Sequence, residues 1–176
     1  LKDSDLKLFA NEHSLFDQAA LTGEMAYSIA KNIVEKRKEF AEILDPELVG
    51  FLGYVHNIGY IIQREKHELH TVYILQHKEN IPVDIAIKTK HGHLVEKYGD
   101  HEEYYPVGLE GMILTLIDIA ARNGELIPID EREKQIEKYL NESDFPEEQK
   151  KSFLENFKKA VPRYKKYEQI LRILQE

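Results

Sequence analysis

The chain has 176 residues, 42% of them apolar, and a formal net charge of −8 with a pI near 5.5, so it holds one proper core and has little non-specific attraction for nucleic acid or anionic lipid. It contains no cysteine, which excludes disulfides, thiolate metal sites and cysteine nucleophiles. No apolar run approaches the roughly 18 residues of a membrane span, and the first residues lack a basic-then-apolar export pattern, so a cytoplasmic protein is expected.

Residues 1–12 are mixed, with Leu6, Leu8 and Phe9 suited to an opening turn. From His13 the pattern becomes helical: Phe16, Ala19, Gly23, Ala26, Ile29, Ile33 and Val34 recur at three-to-four spacing and make one apolar stripe. Asp45-Pro46-Glu47 reads as a helix start, with Asp as N-cap and Pro in the first turn. That helix carries Leu48, Leu52 and Val55 and brings His56 to its end near Gly59. A third helix is expected over His67 to His77, and a fourth from Pro82 to His91, stopped by Gly92.

Residues 92–108 are polar and read as a long loop. Leu109 to Arg122 forms the most apolar helix, ended by Asn123-Gly124. Asp130 to Leu140 is a charged helix. A last one starts at Ser143 or Asp144 with Pro146, and Pro162 is expected to kink it. No strand is expected. The fold class is all-α, with residues 1–125 as a helical domain and 126–176 as a C-terminal helical extension packed on, or swapped from, the same domain. The acidic, aromatic-bearing extension is also a candidate homo-oligomer interface.

The chemistry concentrates around Gly53-Tyr54-Val55-His56-Asn57-Ile58-Gly59-Tyr60, where an imidazole and a carboxamide end an apolar helix. Polar groups held against a core need partners, and a metal ion is one. Asp118, between Ile117 and Ile119, poses the same problem; it is a solvent-facing residue, an ion-pair partner of Arg122 four residues on, or a ligand. His13, His67 and His91 stand at element ends from which they can face one bundle centre. His67 and His70, at i and i+3, can share a helix face, whereas His93 is expected to point away once Gly92 turns the chain. His77 and His101 read as surface, and no Glu stands out as a general acid or base.

His13-Ser14-Leu15, the segment from Asp45 to His56-Asn57-Ile58-Gly59, and Leu116-Ile117-Asp118-Ile119-Ala120 together resemble the HD-domain metal-dependent phosphohydrolases over roughly residues 8–125. The resemblance implies an HD-like helical bundle that binds one or two divalent transition metals (Mn, Fe, Co, Ni or Zn) and hydrolyses a nucleotide or another small phosphorylated metabolite. It assigns His13, His56, Asn57 and Asp118 to the metal, with His56, Asn57 and Asp118 as the catalytic set. His67 and His91 would bind a second metal or the phosphate. Two positions depart from the pattern: Asn57 replaces the family's Asp, and Tyr60 stands where many members carry a phosphate-contacting lysine. An anion clamp would then fall to Arg64, Lys66, Lys90 or Arg122. The alternative function is a catalytically degenerate HD domain that binds a nucleotide or a protein.

Overall fold

A computed structural model describes residues 3–176, with side chains from Asp17 onward. His13 and Phe16 therefore lie outside the described side chains. Eight helices occupy most of the described residues: α1 (Asp3–Lys36), α2 (Pro46–Val55), α3 (His67–His77), α4 (Val83–Ala86), α5 (Leu94–Tyr98), α6 (Gly108–Ala120), α7 (Ile129–Glu142) and α8 (Glu147–Gln175). The fold is all-α, and no described helix is long and apolar enough to cross a membrane.

The centre is α6. Apart from Asp118, every residue from Glu110 to Ala120 is buried, as expected of a helix that is apolar all round. The one other carboxylate in that run, Glu110, is offset by Lys88 at 2.6 Å. Around α6 pack Ala26, Ala30 and Ile33 of α1, Val49 and Leu52 of α2, and Phe157, Ala160, Tyr164 and Leu171 of α8. The first two helices touch backbone to backbone. A Cβ on Gly53 would lie 2.9 Å from the Gly23 Cα and 3.0 Å from the Thr22 carbonyl oxygen, so only glycine permits this crossing.

Asp45 caps α2 as expected, its Oδ1 accepting from the Glu47 amide at 2.9 Å. Four local expectations are corrected. First, Asn123-Gly124 does not merely stop a helix: both residues have positive φ (53° and 82°) and turn a minimal hairpin, β1 (Ala121–Arg122) paired antiparallel with β2 (Glu125–Leu126). Asn-Gly is the dipeptide that such a turn favours, so strand formation outcompetes a further helical turn.

Second, the stretch after Gly92 is not one loop but contains α5 and a short 3-10 turn at Glu102–Tyr104, because Leu94 and Tyr104 find core to bury in. Third, α4 is one turn long, followed by a 3-10 turn at Ile87–Thr89, and His91 lies beyond both. Fourth, α8 starts on Pro146 without a side-chain cap from Ser143 or Asp144, and its helical run includes Pro162.

Candidate metal centre

His56 stands at the C-terminal end of α2, and the segment after it is pinned to α3. Thr71 Oγ1 donates to the His56 carbonyl at 2.8 Å and accepts from the Gly59 amide at 2.9 Å. Gly59 is what allows this approach, since a Cβ there would sit 1.9 Å from the His67 carbonyl oxygen. The two histidines are thus brought together by one threonine and one missing side chain.

His91 arrives from the other side. Thr89 is buried and caps its own 3-10 turn by donating to the Ala86 carbonyl at 2.7 Å. Gly92, at φ 74°, then turns the chain. Arg163 of α8 holds that turn, donating to the Gly92 carbonyl at 2.9 Å and to both oxygens of Glu96 at 2.9 and 2.8 Å.

The three imidazole rings meet edge-on, with centroids 4.9 Å apart for His56–His91 and 5.4 Å for His67–His91. Each has its Nδ1 on a backbone carbonyl: His56 on Gly53 at 2.6 Å, His67 on Arg64 at 3.2 Å and His91 on Thr89 at 2.9 Å. A carbonyl only accepts, so each Nδ1 carries the proton and each Nε2 presents a lone pair. The Nε2 atoms of His67 and His91 are buried with no partner among the described residues, as are Asn57 Oδ1, Glu68 Oε2 and His93 Nδ1.

Buried acceptors without partners, such as the Nε2 atoms of His67 and His91 and the Oε2 of Glu68, are costly unless a cation joins them. Ligand atoms of His56, His91 and Asp118 lie within 4.8 Å of one another, as do those of His67, Glu68 and His91. This donor set of imidazoles and carboxylates fits a divalent transition metal better than Mg or Ca. His91 belongs to both groups, and one lone pair serves one metal at a time.

Electrostatics agree with that reading. Burial lowers His56 to about 4 and His67 to about 3, with His91 adding to both, so these two imidazoles are neutral and ligand-competent at pH 7. Burial lowers His93 as well. For Asp118, burial works against ionisation, yet the surrounding His91, His56, His67 and His93 hold its carboxyl below the ordinary value. Asp118 is the exposed residue in an otherwise buried run of α6, which places it at an opening in the packing and not in the dry core. No bridge to Arg122 forms within 4 Å, because the helix stops at Ala120 and Arg122 leaves in β1.

The structure brings together His56, His67, His91 and Asp118, with the Asn57 oxygen buried beside His56. His70 belongs to neither group. One member of these groups was missed in the sequence. Glu68 is in phase with Thr71 and Leu75 on the buried face of α3, a signal that was there to be read. His93, expected to point away, is turned inward, edge-on to Phe153 at 5.8 Å.

Beside His67, Glu68 and His93 opens a cleft of about 620 Å³, walled on the far side by the first turns of α8. Tyr60 stacks on His67 at its mouth, with centroids 3.9 Å apart. Of the four cationic candidates, Arg64 lines this cleft. Lys66 also lines it, but its ammonium is held by the Tyr104 hydroxyl at 2.9 Å and lies over the Tyr98 ring. Lys90 is buried and donates to the Glu103 carbonyl at 3.0 Å. Arg122 lines a second, adjoining cleft. In comparisons with known proteins, no family model, no curated protein and no solved structure matches the chain.

Proposed function

We propose that this chain is an HD-like, metal-dependent phosphohydrolase acting on a nucleotide or another small phosphorylated metabolite in the cytoplasm. The observation that carries the reading is the set of three imidazoles with protons fixed on Nδ1, of which His56 and His91 are grouped with Asp118, and His67 and His91 with Glu68. His56, His91 and Asp118 would hold the metal, with Asn57 Oδ1 as a neutral further ligand. His67 and Glu68 would complete the set or hold a second ion. When bound, a divalent metal there supplies a Lewis acid for phosphoryl oxygens and acidifies water.

The chain's own residues do the rest. The carbonyls of Gly53, Arg64 and Thr89 fix the tautomers, so no ligand must shed a proton to bind at neutral pH. Glu68 supplies a second carboxylate, which the neutral Asn57 cannot. Burial raises the pKa of Glu68, and a carboxyl poised that way suits proton transfer to or from a phosphate ester. Arg64 faces the same cleft and supplies positive charge for the substrate anion.

Turnover of a panel of nucleotides and phosphomonoesters with added Mn, Co or Ni tests the reading; a chain that binds metal and turns over none of them is not a hydrolase. One observation favours the second reading, a domain that binds its ligand without cleaving it: the side chain beside His56 is an amide. Activity that appears only in Asn57→Asp supports that alternative, and activity in the natural chain overturns it.

A further inference from the structure

The second cleft, of about 670 Å³, is continuous with the first through Arg64, Gln149 and Phe153, which line both. Its composition is unlike the rest of the surface. The chain carries 32 acidic residues, and none of them lines this cleft, whereas three of its six arginines do: Arg64, Arg122 and Arg132. None of the three has a carboxylate within 4 Å among the described residues. Arg132 is held in place by its Nε, which donates to the Ile119 carbonyl at 2.7 Å and leaves the two terminal nitrogens to face a ligand.

Guanidiniums gathered without a directly paired carboxylate repel one another, and an anion with several charges relieves that. The apolar part of the wall is aromatic. Tyr139, Phe145 and Phe153 expose 61, 47 and 41% of their surfaces, and Tyr139 and Phe145 meet at 6.4 Å. Exposed rings beside a phosphate-binding charge cluster suit a planar base.

We infer that this cleft is a subsite for a nucleoside polyphosphate, in which Arg64, Arg122 and Arg132 hold phosphates beyond the one at the metal centre and the exposed rings take the base. The proposal rests on the phosphohydrolase reading for the direction of the ligand, but not for its binding. The two clefts share a wall, so a chain of phosphates can run from the imidazoles to the arginines past Arg64. Arg132 and the three rings all come from the C-terminal segment after residue 126, so that segment would set which phosphate compound is accepted.

The test is calorimetric titration of ATP, AMP and inorganic tripolyphosphate into the full chain, stripped of metal with a chelator, and into Arg64→Gln/Arg122→Gln. Both substituted side chains are exposed, so the fold should tolerate their loss. ATP should bind at least tenfold more tightly than AMP, and several-fold more tightly than tripolyphosphate. The double variant should bring ATP to the level of AMP. Equal binding of ATP and AMP, or a preference that survives the substitutions, overturns the arginine subsite. Equal binding of ATP and tripolyphosphate overturns the place given to the base. Because no metal is present, these outcomes are independent of turnover, which a separate assay of the metal-loaded protein reports.

Discussion

Arg163 offers the sharpest test of how the C-terminal helix supports the centre. Its guanidinium makes a two-pronged pair with Glu96 and a third bond to the Gly92 carbonyl, between the residues that carry His91 and His93. The two side chains are 14 and 11% exposed, so little water stands by to replace a lost partner. Arg163→Met keeps the apolar stem and strands a nearly buried carboxylate. Breaking such a pair costs ~3–5 kcal/mol; Nη1 is itself buried without a partner, which places the expected loss at the lower end, about 3 kcal/mol.

Removing both charges in Arg163→Met/Glu96→Leu should cost less, about 1–2 kcal/mol, since only the Gly92 carbonyl then lacks its donor. Guanidinium chloride unfolding followed by far-UV circular dichroism gives both values. If the centre depends on this clamp, metal affinity in Arg163→Met also falls by about tenfold, as for other groups that orient ligands. A loss under about 1 kcal/mol, or a double variant no more stable than the single one, refutes the reasoning.

Two further substitutions probe the close backbone approaches. Gly59→Ala drives a methyl group into the backbone at His67 and Thr71, so α3 must shift, at a cost of about 2–3 kcal/mol in the same unfolding assay. Gly53→Ala meets backbone of α1 and should cost about 2 kcal/mol, whereas Gly23→Ala meets first the ring of half-exposed Tyr54, which can swing out, and should stay within about 1 kcal/mol of the natural chain. Equal losses for the two would contradict the assignment of flexible and rigid neighbours.

Much of this was legible in the sequence, for identifiable reasons. The Asp45 cap, the His67–His77 helix and the apolar run around Asp118 announce themselves because local capping and periodicity agree with the tertiary packing. His56 and Asp118 stood out as polar residues on otherwise apolar elements. Glu68 and Arg132 did not, although each is in phase with buried neighbours: Glu68 with Thr71 and Leu75, Arg132 with Ile129 and Ile136. In charged segments such a residue looks like any solvated one until the third dimension places it.

The inward turn of His93 and the formation of α5 depend on Arg163, 70 residues further on, and no local pattern carries that information. The hairpin at Asn123-Gly124 was a different kind of miss. Its turn signal was present, but the flanking segments are only two residues long, too short for alternation to show.

The central claim is that the converging imidazoles hold a transition metal. Elemental analysis of the purified chain, after incubation with Mn, Co, Ni, Fe or Zn and removal of free metal, should be set beside the same measurement on His91→Ala. His91 is shared by both ligand groups, so the account predicts one or two metal ions per natural chain, with both sites lost or severely weakened in the variant. A natural chain that takes up no metal, or a His91→Ala variant that retains the full complement, would contradict it.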